Sequence, residues 1–120
     1  MDCDFKEDHD LMSADLSMCY PDACAVRAYQ RTLMTMRGDQ TVRLIDAFEF
    51  AAPPAQLMFR FITAQKPLIL RDCVRLGPVV MTWDGDLTDP EFPAKCCQLQ
   101  FTAQRPSARS IFSFTFEKRL

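Results

Sequence analysis

The sequence predicts an all-β fold: an antiparallel β-sandwich of about eight strands with little or no helix. Three observations carry that expectation. Ten Phe stand beside only three Gly, and aromatic side chains cover pleated surfaces well. Eight prolines in 120 residues interrupt long helices. Several segments alternate apolar and polar residues at period two, as strands with one covered face do. The length fits one domain. Size scaling gives a folded surface of roughly 6,600 Å² against roughly 20,000 Å² unfolded, so a core can form without metals or disulfides.

Residues 1–10 are polar and read as an N-terminal tail, leaving residues 11–120 as a single β-sandwich domain. Leu11 to Ser17 reads as a short strand, and Tyr20-Pro21-Asp22 as a turn, because Pro fixes φ and Asp bonds its own backbone. Val26 to Arg37 supports two readings: helix by propensity, or the first arm of a hairpin that turns at Gly38-Asp39. Thr41 to Phe50 is a strand with Val42, Leu44, Phe48 and Phe50 on one face. Asp46 falls on that apolar face and Ile45 on the polar one, which predicts either a bulge or cover on both faces.

AAPPA, Ala51 to Ala55, is a rigid connection to Gln56 to Ala64, where Leu57, Phe59 and Phe61 share a face. Leu68 to Arg71 and Cys73 to Leu76 are short strand candidates, and Gly77-Pro78 turns the chain into Val79 to Trp83. Asp84 to Ala94 reads as loop. Cys97 to Ala103 alternates cleanly, as does Ser110 to Lys118, where Phe112, Phe114 and Phe116 are expected in the core.

Composition excludes several classes. Fourteen basic against sixteen acidic side chains give a net charge of -2, too little positive field for nucleic acid. No run of eighteen apolar residues exists, so no membrane-spanning helix and no membrane partner are expected. The opening MDCDFKEDHD lacks the apolar stretch of a secretory signal, which favours a cytoplasmic location. In that setting the six cysteines, Cys3, Cys19, Cys24, Cys73, Cys96 and Cys97, are expected as thiols. Their even number leaves disulfides as the alternative. Cys96 and Cys97 would point to opposite faces of a strand.

Little in the chain carries chemistry. His9 is the one histidine and has no Cys or His at metal-ligand spacing. Asp84, Asp86, Asp89 and Glu91 lie close together but lack the full calcium-loop pattern. No metal and no cofactor are expected, and no catalytic residue is assigned. Arg27, Tyr29 and Arg31 are spaced two apart. On a strand they would share a face and form an anion-recognition stripe for a carboxylated sugar, with a solvated strand face as the plainer reading.

Several segments also resemble one family. DLSMCYPDA (Asp15 to Ala23) is similar to the opening of the C-terminal β-domain of heparinase II/III-like proteins. Arg31 to Phe50, ending in Asp-x-Phe-Glu-Phe, resembles that family's hairpin, and FRFITAQKP (Phe59 to Pro67) its next strand. Trp83-Asp84-Gly85 and Thr88-Asp89-Pro90 follow in the family's order, though without the extra strand the family places between them.

The resemblance implies a bacterial, polysaccharide lyase-like parent in which a helical toroid precedes the β-domains and Tyr and His drive β-elimination of uronic-acid glycans. No motif carries a catalytic role onto Tyr20, Tyr29 or His9. The expected function is therefore a non-catalytic β-domain, a scaffold or acidic-glycan contact, not active alone. Its partners would be an acidic polysaccharide, a missing N-terminal helical domain or a second copy. A protein-interaction or homodimerisation β-domain is the alternative, since uncovered apolar surface drives association.

Overall fold

The computed structural model describes residues 2–5, 9–19, 25–38, 40–63, 66–91 and 98–118. Among them are ten strands, one 3-10 turn at Ser17–Cys19 and no α-helix. The strands are β1 (Asp2–Phe5), β2 (His9–Asp15), β3 (Val26–Met36), β4 (Thr41–Phe50), β5 (Gln56–Ile62), β6 (Leu68–Ile69), β7 (Val74–Leu76), β8 (Val79–Asp84), β9 (Gln98–Gln104) and β10 (Arg109–Lys118). All pairings are antiparallel. The fold is an all-β sandwich with two very unequal layers. One sheet has eight strands in the order β1-β2-β3-β4-β10-β8-β7-β6, and the other has only β5 and β9.

The alternation read from the sequence explains the core. β5 turns Leu57, Phe59 and Phe61 inward, opposite Ala103, Phe101 and Leu99 of β9. These meet Phe112 and Phe114 of β10, which are 2% and 0% exposed. The rings tilt against one another: Phe59 lies 5.1 Å from Phe112, Phe61 4.9 Å from Phe114, and Phe101 5.2 Å from Phe114. Edge and tilted contacts at this spacing suit the ring quadrupole. Phe116 lies at the margin, half-buried, with Phe61 beside it. Gly85 ends β8 at φ +123, where a Cβ would stand 2.8 Å from a ring carbon of Phe112. Only glycine fits both the backbone and the space.

One expectation is corrected and two open choices are decided. Residues 2–5 and 9–10 are strand rather than tail, because β1 pairs with β2 from Asp2↔Ser13 to Phe5↔Asp10 and extends the large sheet. Residues 26–36 are strand, which closes the choice between helix and hairpin: β3 is held between β2 and β4 along its length, so tertiary pairing overrides helix propensity. β4 has no bulge, since its register with β10 runs unbroken from Arg109↔Glu49 to Glu117↔Thr41. Asp46 does face the core side, opposite Phe112, and is completely buried.

Cys3 and Cys19 are exposed thiols and Cys73 a partly buried one. Cys24, Cys96, Cys97, Tyr20 and the turn that follows Tyr20 lie outside the described residues.

Candidate functional site

The small sheet covers only part of the large one. β5 packs over β4 and β10 through Phe48, Phe112 and Phe114, and β9 over β10 and β8 through Phe114 and Trp83. Beyond β5 the large sheet continues through β3, β2 and β1. The ladders place Arg31, Leu33 and Thr35 of β3 on the core-side face, followed by Asp10, Met12 and Ala14 of β2 and Cys3 and Phe5 of β1. Phe5 is 69% exposed. The result is a step: a floor formed by β1–β3 and a wall formed by the edge of β5.

The two edges of the small sheet differ. Along β9, Thr88 donates its N–H to the Thr102 carbonyl, and Glu91 and Gln100 exchange both backbone bonds. The acidic loop after Trp83 therefore caps that side. The other edge of β5 pairs with no strand among the described residues. A cleft of about 250 Å³ runs along it, bounded by Tyr29, Arg31 and Phe48 and by Leu57, Met58, Phe59, Arg60 and Phe61. Consecutive strand residues alternate between faces, so five in a row can border one cleft only through the strand's edge. A second hollow of about 140 Å³, lined by Met12, Ser13, Ala14, Arg31 and Leu33, continues across the floor.

Arg31 sits where the two hollows meet. Its Nε and Nη2 donate to Oδ1 and Oδ2 of Asp46 at 2.8 and 2.9 Å. The two residues are direct cross-strand partners, the geometry that lets a planar guanidinium bind a carboxylate through both oxygens. The Arg31 side chain remains 42% exposed, so the pair is anchored in the core and open at the cleft. Its guanidinium carbon also lies 5.8 Å from the centre of the Tyr29 ring.

Local structure sets these positions. β3 has a register shift between Val26 and Ala28, and Arg27 between them is exposed. Tyr29, opposite Phe48, is only 4% exposed and stacks on that ring at 4.2 Å. Its backbone N–H donates to Ser17 Oγ, whose hydroxyl donates in turn to Asp15 Oδ1. Asp15 also accepts the Ser17 N–H. These bonds, the side-chain one foremost, hold the Asp15 carboxyl below the ordinary aspartate range.

The anticipated stripe is thus divided. Tyr29 and Arg31 come together at the cleft, but Tyr29 is core rather than wet surface, and Arg31 is bound to Asp46. Arg27 stands outside the set that lines the cleft, and Arg60 stands within it. Asp46 is the residue that sequence reasoning passed over. Its signal was visible as a carboxylate interrupting the apolar face of β4, four residues from Phe50. His9 lies in β2 opposite Met36. No group of three metal-ligating side chains occurs among the described residues, and Asp84 uses its carboxylate to accept the Gly85 N–H.

Neither a protein-family model nor a curated protein matches this chain.

Proposed function

We propose that this chain is a non-catalytic β-domain that works by protein interaction, with the step between β5 and β1–β3 as its docking surface. The observation that carries this reading is the β5 edge, unpaired among the described residues and standing over an uncovered sheet floor. An unpaired edge offers backbone donors and acceptors to an incoming strand. The floor adds apolar contact through Met12, Ala14 and Leu33. A scaffold role is also what the resemblance to the C-terminal β-domain of heparinase II/III-like proteins implies.

A photo-cross-linking residue at Leu33, introduced into the intact chain in the cells that make it, tests the reading. A defined adduct, with its partner identified by peptide mapping, is expected from position 33. No matching adduct is expected from Thr82, an exposed residue of β8. Equal labelling at both positions, or none at either, would overturn the reading.

A second reading, contact with an acidic glycan, is supported by the cleft that brings Arg60 to Tyr29 and Arg31. The Arg31 guanidinium beside the Tyr29 ring, with Arg60 at the border of the same cleft, suits a carboxylated sugar. Binding of an acidic oligosaccharide that weakens with salt and with Arg60→Gln would carry it. Salt-insensitive or absent binding would remove it.

A further inference from the structure

We infer that the partner for the step is a second copy of this chain, docked so that β1–β3 of each copy lies over β1–β3 of the other and abuts its β5 edge. The inference rests on the docking reading above.

The chain exposes 8109 Å², about 1,500 Å² more than a monomer of its mass should. Its radius of gyration, 15.2 Å, exceeds the roughly 13.6 Å of a typical 120-residue domain. A standard interface takes about 800 Å² from each partner, so the excess is more than enough for one.

Shape selects the partner. The floor is three strands wide, or about 14 Å at a spacing of ~4.8 Å. A lone extended peptide could pair with β5 but would leave most of that width bare. What each copy has to spare is itself a three-strand slab, and a two-fold axis lying between the layers would seat each slab in the other's open layer. The reciprocal patch is what an isologous dimer requires.

The simpler dimer, β5 against β5, is excluded by the same overhang. Antiparallel pairing of two identical edges needs a two-fold axis perpendicular to the sheets. That axis would drive both copies of β1–β3 into one layer.

Charge does not oppose the slab arrangement. Asp10 on the floor is paired with Arg37, and Asp46 on the neighbouring β4 with Arg31. Closing the interface would therefore leave neither of those carboxylates without a counter-ion.

Light scattering on the intact wild-type chain should give a mass near 13.8 kDa when dilute and about twice that as concentration rises from ~1 to ~100 μM. Hydrogen exchange of the wild-type chain over that range provides a readout independent of any mutant's folding. Peptides from β2 and β5 should slow at least about ten-fold while those from β8 stay unchanged. A Met12→Glu/Leu33→Glu variant that keeps its β-sheet circular dichroism should remain monomeric, whereas Thr82→Glu should dimerise like wild type. A wild-type monomer throughout, or a dimer that survives the double substitution, overturns the inference. If the chain stays monomeric while position 33 cross-links to a different protein, the dimer falls and the docking reading stands. If it stays monomeric and no adduct forms, both fall.

Discussion

Under the small sheet, β4 and β10 place Phe48, Phe50, Phe112 and Phe114 in the core, none more than 6% exposed. A few ångströms away, on the same face of the same sheet, Met12 of β2 and Leu33 of β3 remain only half-buried. The cluster that takes in Leu44 on β4 does not reach Leu33, its direct partner on β3. Pairing within a sheet is therefore not what makes the core here. Cover by a second layer is, because apolar area leaves water only when both sides of the contact are filled.

The contrast can be tested by stability. Phe114→Ala, in the covered half, should cost ~3–5 kcal/mol in equilibrium denaturation. A loss under about 1 kcal/mol would show that the covered half is not the packed one. Asp46→Ala tests the boundary between the halves. Cutting a buried pair is strongly destabilising, but Arg31 is 42% exposed and can turn to water, so about 1–3 kcal/mol is expected. In a double-mutant cycle, Arg31→Leu combined with Asp46→Ala should cost less than the two single substitutions summed. Additive losses would mean that the two side chains do not act as a pair.

In the uncovered half, Leu33→Thr should cost less than about 1 kcal/mol in dilute protein. A loss as large as that of Phe114→Ala would erase the distinction between the halves. The smallest effect belongs to Asp15, at the end of β2. Its folded pKa is lowered, so the unfolded chain binds the proton more readily. The stability it adds is fully present above the ordinary aspartate pKa and is lost as pH falls through the folded value. Asp15→Asn should make the acid limb of a stability–pH curve slightly shallower. A steeper limb would reverse the assignment.

How far the sequence could be read follows the same division. The alternating Phe residues of β5 and β10 and the apolar face of β4 were legible because each strand has one covered face, and a covered face writes a period of two. β1 and the first two residues of β2 were not, since strands without a second layer need no such period and MDCDFKEDHD reads as polar tail; only Leu11 to Asp15 of β2 was read as strand. The helix-forming residues of β3 obscured it for the same reason. At the site, the spacing of Tyr29 and Arg31 was visible. Their inward direction was not, because it depends on the cross-strand partners Phe48 and Asp46. The step itself arises from unequal strand numbers in the two layers, a property of topology that no local window of residues records.

The far end of the large sheet bears on how association would stop. There β6 has only two residues, preceded by Pro67 and followed by the exposed Arg71 and Asp72. Leu68 and Ile69 are 56% and 38% exposed, so composition alone would make this margin sticky. A two-residue strand beside a proline offers too little ladder to template another chain. An open eight-stranded sheet with long strands at both margins could grow end to end into a filament. Blunting one margin leaves growth a single productive direction, and assemblies built on one self-complementary patch close at a finite size rather than polymerise.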